Sequence, residues 1–203
     1  MSIEAVMRLA PVIPVLVIED PDHARPIAEA LVAGGLPALE VTLRTPAALE
    51  VIAEMARVEG AVVGAGTVVG EAQMNEAIAA GARFIVSPGI TPWLCEAARD
   101  CGAAFLPGIS TASEIMLGLE FGLRHFKFFP AEASGGIAAL KALAAPFAQC
   151  RFCPTGGIAA ESAPLWLAEP HVLCVGGSWI VPRGAPDPAV IEDAARSATL
   201  LRN

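Results

Sequence analysis

The sequence alternates between short apolar stretches and stretches of helical composition, and this alternation restricts the possible folds more than any other feature. It repeats about every 21–26 residues along the chain. Each apolar stretch is apolar at nearly every residue, which is typical of parallel strands that are covered on both faces. We predict eight strands, at Val12–Val17, Ala38–Thr42, Ala61–Gly64, Phe84–Val86, Ala104–Leu106, Phe126–Phe129, Cys150–Cys153 and Leu173–Val175.

The stretches between the strands are rich in Ala, Leu and Glu and predict one helix after each strand. Eight such units without a linker predict a single domain over residues 1–203, folded as a (β/α)8 TIM barrel with a short extra N-terminal helix before Pro11. An open doubly wound sheet is the alternative, but no GxGxxG pattern follows the first strand. The predicted helices are Asp22–Ala33, Ala47–Arg57, Glu71–Ala80, Pro92–Cys101, Ala112–Gly122, Gly136–Ala145, Ala160–Ala168 and Pro188–Leu201.

Glycine, proline and hydroxyl residues concentrate in the turns that follow the predicted strands. Parallel α/β folds build their sites at the carboxyl ends of the strands, so we expect the functional site at that end. The turns read GAGT (64–67), SPGIT (87–91), PGIST (107–111), PTGGI (154–158) and VGGS (175–178).

Charge and hydrophobicity argue against two classes of partner. Thirteen Lys and Arg against 21 Asp and Glu give a formal net charge of −8, so the chain lacks the basic field that attracts nucleic acids. Charged residues interrupt every apolar stretch before the roughly 20 residues that span a bilayer. The N-terminal segment lacks the pattern of a secretory signal, and we expect a cytoplasmic protein. The odd number of cysteines fits buried thiols in a reducing compartment, at Cys95, Cys101, Cys150, Cys153 and Cys174.

Lysine occurs only twice in the chain, at Lys127 and Lys141. Lys141 lies in a predicted helix and is expected to be solvated. Lys127 lies in the apolar stretch HFKFFP, where burying a charged amine would cost several kcal/mol. Burial favours the neutral amine, which is the form that attacks a carbonyl group. The alternative is a structural lysine that reaches solvent or pairs with a carboxylate. The position of Lys127 in the sequence alone does not decide between a nucleophile and a structural residue.

A second charged residue, Glu40, lies inside the predicted second strand. The period of two puts Glu40, Thr42 and Arg44 on one face, which we expect to point into the barrel. There a carboxylate facing a lysine can move protons, and an arginine can bind a substrate carboxylate. The alternative is a purely structural ion pair of Glu40 with Arg44 or Lys127.

Two turns of glycine and hydroxyl residues, at 154–157 and 175–178, follow the last two predicted strands. In barrels these two loops, with the N-terminus of a short following helix, commonly bind phosphate through backbone N–H groups. No set of His, Asp, Glu or Cys has the spacing of metal ligands, so we expect no metal and no other cofactor.

Seven motifs in order resemble those of the 2-keto-3-deoxy-6-phosphogluconate (KDPG) aldolases, a family that includes 4-hydroxy-2-oxoglutarate (KHG) aldolases. The resemblance runs from PVIPVLVI at residue 11 to the C-terminal helix. It implies a metal-independent class I aldolase on a (β/α)8 barrel, a homotrimer, that cleaves the phosphorylated keto acid to pyruvate and glyceraldehyde 3-phosphate. The motifs are LEVTLRT (39–45), VGAGTV (63–68), SPG (87–89), PGIST (107–111), FKFFPAE (126–132), RFCPTGGI (151–158) and LCVGGSW (173–179).

The resemblance also implies roles for individual residues. Lys127 matches the family's Schiff-base lysine, and Glu40 matches its proton-transfer residue. Arg44 and Thr67 match the contacts to the pyruvate carboxylate. The residues that match the phosphate end of the site are Thr155, Gly156, Gly157, Gly177 and Ser178.

Three alternative functions remain open at this point. An aldolase for the phosphogalactonate epimer would act on a substrate that differs at one hydroxyl group. A non-catalytic phosphosugar-binding barrel would keep the glycine turns but would not need both Lys127 and Glu40, and the presence of both argues against it. A phosphosugar isomerase barrel would not form a lysine adduct with pyruvate.

Overall fold

The computed structural model describes residues 1–182 and 184–201 as strands that alternate with helices. The strands are β1 (Val12–Leu16), β2 (Ala38–Thr42), β3 (Val62–Gly66), β4 (Phe84–Val86), β5 (Ala104–Leu106), β6 (Gly108–Ile109), β7 (His125–Phe128), β8 (Arg151–Pro154) and β9 (Val175–Gly177). The helices are α1 (Ile3–Met7), α2 (Ala24–Ala33), α3 (Ala48–Met55), α4 (Glu71–Ala79), α5 (Pro92–Asp100), α6 (Ala112–Glu120), α7 (Gly136–Ala144), α8 (Ala163–Leu167) and α9 (Pro188–Thr199). None of these described helices is long and apolar enough to cross a bilayer.

The strands form a curled parallel sheet with the helices packed around it. All seven strand pairs in the described part of the chain are parallel. One run of neighbours has the order β5-β4-β3-β2-β1-β9, and a second has the order β6-β7-β8. Parallel bridges join Phe152 to Val172 and Thr155 to Gly176, between β8 and the segment that ends in β9. The chain is therefore an α/β protein, as the alternating pattern predicts.

Alternate residues of β2 pack on opposite sides of the sheet. Leu39 belongs to a large apolar cluster between the sheet and the helices. Ala38 belongs to a second cluster inside the curl, together with the fully buried Val6 and Met7 of α1. Helix α1 thus packs beside the residues that begin the strands. Glu40 is two residues beyond Ala38 and lies on the same inner face, which confirms the predicted period of two.

The predicted bounds of β2, β4 and β5 are confirmed, whereas the last strand begins two residues later than predicted. The prediction Leu173–Val175 followed the apolar residues, but Val175–Gly177 is the segment that pairs with residues 12–14 of β1. Glycine suits this segment, because an added Cβ at Gly176 would lie 2.3 Å from Thr155 Oγ1. Contact with a neighbouring strand, rather than local hydrophobicity, sets this boundary.

Helix α8 is shorter than the predicted helix Ala160–Ala168 and spans Ala163–Leu167. Residues 159–162 form a turn instead, in which Ser162 Oγ accepts a hydrogen bond from the N–H of Ala159 at 3.1 Å. Pro164 lies in the first turn of α8, where a proline is tolerated. A helix that began three residues earlier would place Pro164 in its interior and lose a backbone hydrogen bond.

The five cysteines are all free thiols, and the structure corrects one of the predictions about them. Cys101 is exposed, whereas the other four are buried as predicted. Cys101 immediately follows α5, and its Sγ lies 3.7 Å from Met74 Sδ near the surface. Burial raises the pKa of the Cys95 thiol to about 11 and also raises the pKa of Cys150. The thiols thus differ sharply in accessibility.

We expect a thiol reagent such as iodoacetamide to modify Cys101 first in the native protein at pH 8. The reactive species is the thiolate. Cys95 is buried, and pH 8 lies far below the pKa of its thiol, so this thiol stays protonated. Peptide mass spectrometry over a time course measures the modification of each cysteine. The variant Cys101→Ser is the control and should show no rapid phase. A buried thiol that reacts as fast as Cys101 without denaturant would contradict the prediction.

Candidate active site

Two oppositely charged side chains, Lys127 of β7 and Glu40 of β2, meet inside the curled sheet. Lys127 Nζ donates a hydrogen bond to Glu40 Oε1 at 3.0 Å. Lys127 is only 6% exposed and Glu40 only 3%, although 87 residues separate them in the sequence. Of the alternatives that the sequence left open, solvent exposure of Lys127 and a Glu40–Arg44 pair are both wrong. The structure places the amine and the carboxylate in direct contact.

Strand pairing holds these two residues in position from both sides. Lys127 lies opposite Gly108 of β6 and Cys153 of β8. Glu40 lies opposite Gly64 of β3. Each charged residue therefore belongs to an interior strand, and its backbone cannot shift without breaking the hydrogen bonds of two neighbours.

The Glu40 carboxylate fits only because β3 carries glycine at Gly66. An added Cβ at Gly66 would lie 2.3 Å from Glu40 Oε1 and 2.7 Å from its Cγ, closer than real Cβ contacts allow. Gly66 is buried and pairs with Thr42, so the strand has little freedom to move away. Gly66 thus determines where the carboxylate can lie, a role that the motif GAGT did not reveal by itself.

The aromatic ring of Phe129 lies beside the lysine. Lys127 Nζ lies 5.2 Å from the centre of the Phe129 ring, within the range of a cation–π contact. An added Cβ at Gly156 would lie 3.3 Å from the same ring. The ring therefore lies between the amine and the turn that follows β8. Phe129 is not among the predicted site residues, and its only signal in the sequence was its place in the motif FKFFPAE.

The chemistry of the pair follows from its burial and its short distance. A proton can pass from the Lys127 ammonium to the Glu40 carboxylate across the 3.0 Å hydrogen bond. The products of such a transfer are a neutral amine and a neutral carboxylic acid. The neutral amine is a nucleophile for carbonyl carbon, and the acid can return its proton to a leaving oxygen.

Among residues 1–182 and 184–201, no group of three or more His, Cys, Asp or Glu could hold a metal ion.

Arg44 does not lie on the β2 face that the sequence predicted. The strand ends at Thr42, and Arg44 lies in the turn that follows, exposed to solvent. Thr42 Oγ1 and Thr45 Oγ1 donate hydrogen bonds of 2.8 Å to the backbone carbonyls of Leu16 and Ile18, respectively. These two bonds anchor both ends of the turn to β1 and its loop. Arg44 thus extends from a fixed turn at the carboxyl end of the sheet, and its guanidinium forms no ion pair with another described residue.

Thr67 directly follows Gly66 and has an unusual backbone conformation. Its φ angle is +62°, and it is the one residue other than glycine with a positive φ in the described part of the chain. A left-handed conformation at a residue with a Cβ costs about 1–3 kcal/mol, and such strain concentrates at functional sites. Thr67 is half-buried beyond the end of β3, on the strand that neighbours Glu40.

The structure brings together the two turns that the sequence predicted as a phosphate site. The parallel bridge between Thr155 and Gly176 sets one turn beside the other. Gly157 and Ser178 are exposed, and Gly157 has a φ of +81°. Thr155 is buried, and its N–H already donates to the Phe128 carbonyl at 2.9 Å.

The contribution of a helix N-terminus to this part of the site stays a prediction. After β8, α8 begins only at Ala163 and has five residues. After β9, the next helix in the described chain is α9, which begins at Pro188. At the two turns, Gly157 and Ser178 are the exposed residues that a ligand could reach.

Two other hydroxyl-rich turns have a structural explanation. Thr91 accepts a hydrogen bond from the Leu94 N–H and caps α5. Thr111 and Glu114 form a capping box at the start of α6, and Glu114 Oε2 also accepts from the Ser110 N–H at 2.7 Å. Such caps satisfy the free N–H groups of a first helical turn. The hydroxyl groups of SPGIT and PGIST that cap helices therefore need no role in binding.

The fold and the buried pair define a class of protein, a parallel α/β protein with a lysine amine and a carboxylate in direct contact inside its sheet. The comparison with known families agrees with this class. The family model of KDPG and KHG aldolase matches residues 3–193. The chain belongs to this family.

Individual relatives resemble the chain over nearly its whole length. The KDPG aldolase of Zymomonas mobilis ZM4, solved with 3-phosphoglycerate, is 58% identical with a TM-score of 0.97, and the match covers 99% of this chain and 96% of that one. The KDPG aldolase of Legionella pneumophila, solved with pyruvate captured as a covalent carbinolamine, is 44% identical with a TM-score of 0.95 and 98% coverage of both chains. The KHG/KDPG aldolase of Escherichia coli K12 is 52% identical over 91% of this chain and 87% of its own length.

We expect the substitution Gly66→Ala to push the Glu40 carboxylate away from Lys127 and to lower the free energy of unfolding by roughly 1–3 kcal/mol, as overpacking of a rigid interior does. Denaturant titration measures the stability, and a crystal structure of the variant measures the distance between Nζ and Oε1. Gly70→Ala is the matched control, because an added Cβ there meets nothing within 4 Å. Wild-type stability together with an unchanged 3.0 Å hydrogen bond in Gly66→Ala would contradict the prediction.

Proposed function

We propose that the protein is a class I aldolase that cleaves 2-keto-3-deoxy-6-phosphogluconate to pyruvate and glyceraldehyde 3-phosphate. The same site would cleave 4-hydroxy-2-oxoglutarate to pyruvate and glyoxylate. The observation that carries the proposal is the buried 3.0 Å contact between Lys127 Nζ and Glu40 Oε1. The aldolase names of relatives that are 52–58% identical support the choice of substrates.

The reaction begins with the transfer of a proton from Lys127 to Glu40. The neutral amine then attacks the C2 ketone, and the proton on nitrogen moves to the former ketone oxygen to give a carbinolamine. Glu40 returns its proton to this hydroxyl group, which leaves as water. The product is a protonated imine on Lys127, an electron sink that the free ketone cannot match.

Carbon–carbon cleavage uses the same carboxylate a second time. Glu40 removes the proton of the C4 hydroxyl group, directly or through a water molecule, and the C3–C4 bond breaks. Its electron pair forms the enamine, and the aldehyde leaves. Glu40 then protonates C3, and hydrolysis of the imine releases pyruvate and restores the lysine.

The remaining predicted residues orient the substrate. Arg44 and Thr67 bind the carboxylate next to C2, which places the ketone carbon near the amine. Arg44 lies on an anchored turn, and its exposed guanidinium forms no ion pair within residues 1–182 and 184–201, which supports this role. The phosphate lies at the two paired turns, on residues drawn from Thr155, Gly156, Gly157, Gly177 and Ser178. Their adjacency through the bridge between Thr155 and Gly176 supports this assignment.

We also propose a larger architecture for the protein. The curled sheet closes into a complete (β/α)8 barrel, with residues 1–203 as one domain and α1 as the extra helix at its amino-terminal end. Support comes from the bridges between β8 and the β9 segment, and from the single residue, Pro107, between β5 and β6. A homotrimer would cover large exposed side chains such as Trp93, which is 81% exposed, and Val69. Five free thiols agree with the reducing cytoplasm.

We expect pyruvate and sodium borohydride to attach a reduced adduct to Lys127. The amine is already within hydrogen-bond distance of its proton acceptor, so imine formation needs no other lysine. Peptide mapping locates the adduct, and only Lys141 and the terminal amine compete. The variant Lys141→Gln should keep the full adduct. Modification of Lys141 or the terminus with Lys127 untouched would refute the proposed nucleophile.

We expect the variant Glu40→Gln still to form the pyruvate imine, although more slowly because Glu40 moves a proton in that step too. Once the imine has formed, the variant should lose most exchange of the pyruvate methyl protons with deuterated water. Glutamine keeps the shape and the hydrogen bond to Lys127 but cannot accept a proton. The loss should be on the order of 10²–10⁴-fold, the usual contribution of a general base. Nuclear magnetic resonance measures the exchange, and borohydride trapping measures the imine. Exchange close to the wild-type rate in a folded variant would assign the proton transfer to another group.

A further inference from the structure

The loop after β7 is hydrogen-bonded to the turn after β8 through its backbone. The N–H of Ala131 donates to the Thr155 carbonyl at 2.8 Å, and the N–H of Glu132 donates to the Gly156 carbonyl at 3.1 Å. Both donors lie within five residues of Lys127, at the end of the motif FKFFPAE. The two hydrogen bonds connect the strand that carries the lysine with the turn that we assign to phosphate.

The Glu132 side chain adds a third connection, to helix α8. Glu132 Oε1 accepts a hydrogen bond from Trp166 Nε1 at 3.1 Å. Trp166 is fully buried, and its ring centre lies 6.3 Å from that of Phe128, the residue after Lys127. A buried indole N–H needs an acceptor, and Glu132 provides it.

The same side chain packs against the turn itself. An added Cβ at Gly157 would lie 2.7 Å from Glu132 Cγ and 2.8 Å from its Cβ, so the glycine and the glutamate are in close contact. On the other side, Gly156 faces the ring of Phe129. The turn is therefore confined between Glu132 and Phe129. Substitution of Gly157 cannot probe phosphate binding cleanly, because its φ of +81° and the contact with Glu132 would both be disturbed.

The charge of Glu132 is accommodated by protein groups. Besides the Trp166 N–H, its carboxylate has the start of α7 nearby, where a Cβ added at Gly136 would lie 3.5 Å from Oε2. Helix α7 has no side-chain cap, and a negative charge near a helix N-terminus is favourable. Glu132 is an exposed residue whose carboxylate is hydrogen-bonded to α8 and lies near the start of α7, which fits a positioning role rather than proton transfer.

We propose that Glu132 is a positioning residue that fixes the Thr155–Gly157 turn relative to Lys127 and thereby sets the affinity for the phosphorylated end of the substrate. The inference rests on the proposed aldolase function. Its contacts are to the turn, to Trp166 and to α7, none of which forms the imine. Loss of Glu132 should weaken the binding of a substrate that reaches the turn and should leave lysine chemistry on short keto acids intact.

The test compares Glu132→Ala and Glu132→Gln with the unaltered protein. We expect Glu132→Ala to raise the KM for 2-keto-3-deoxy-6-phosphogluconate on the order of tenfold, the size of one lost hydrogen bond from a buried donor. The KM for 4-hydroxy-2-oxoglutarate and the rate of pyruvate methyl exchange should stay within about twofold. Glu132→Gln keeps the acceptor and the packing, so it should restore most of the affinity.

Two further variants sharpen the test. Trp166→Phe removes the N–H donor but keeps a buried ring, so it should also raise the KM for 2-keto-3-deoxy-6-phosphogluconate. This variant serves as the test if Glu132→Ala does not fold. Glu169→Ala is the matched control, since Glu169 pairs with Lys141 and connects α7 to the end of α8 away from the turn. It should change neither KM.

Equal loss on both substrates, or no loss in a folded Glu132→Ala, would overturn the proposal. A Glu132→Gln variant as impaired as Glu132→Ala would also overturn it, because the contact would then not be what matters. Failure of the aldolase function itself would look different, since the unaltered protein would then form no pyruvate adduct on Lys127.

Discussion

The ion pair between Lys127 and Glu40 is the interaction on which the rest of the site depends. Burying two charges costs several kcal/mol for each ion, and loss of one partner would leave the other buried and unpaired. The surroundings accommodate the two long side chains with small residues. Gly66 leaves room for the carboxylate, and Gly108, opposite Lys127, packs so closely that an added Cβ would lie 2.2 Å from the Pro88 carbonyl oxygen. The opposite end of the sheet interior is filled by apolar residues together with α1.

The loops at the carboxyl end of the strands divide into two kinds. Some have polar residues that complete the fold, such as Thr91 and the Thr111–Glu114 capping box at helix starts. Others carry features that the fold alone does not require, such as the positive φ of Thr67 and the close approach of Gly157 to Glu132. The second kind follows β3 and β8, the strands that pair with those carrying Glu40 and Lys127. Backbone strain and side-chain contacts, rather than the number of hydroxyl groups, thus distinguish the loops that we propose for binding from the turns that cap helices.

Local pattern was a good guide to some elements and a poor one to others. The strands β2, β4 and β5 were predicted to the residue, and β4 shows why most clearly, because its three apolar residues lie between the polar Arg83 and Ser87. The predicted last strand began two residues too early. Its glycines are typical of a turn in the sequence, whereas in the structure they pair with β1. Arg44 was predicted on the strand face with Glu40, but β2 ends two residues before it. Periodicity describes a strand only as far as the neighbouring strands continue to pair with it.

The sequence by itself determined the α/β class, the inward face of Glu40 and the anomaly of a lysine in an apolar strand. The class follows from the alternation repeated along the chain, and the other two follow from the composition and periodicity of a few consecutive residues. Tertiary structure alone decided that Lys127 and Glu40 touch across 87 residues, that Cys101 is exposed, and that Glu132 reaches Trp166. The physical reason is that such contacts depend on strand register and on the curvature of the whole sheet. A shift of one residue in register would turn either charged side chain to the opposite face.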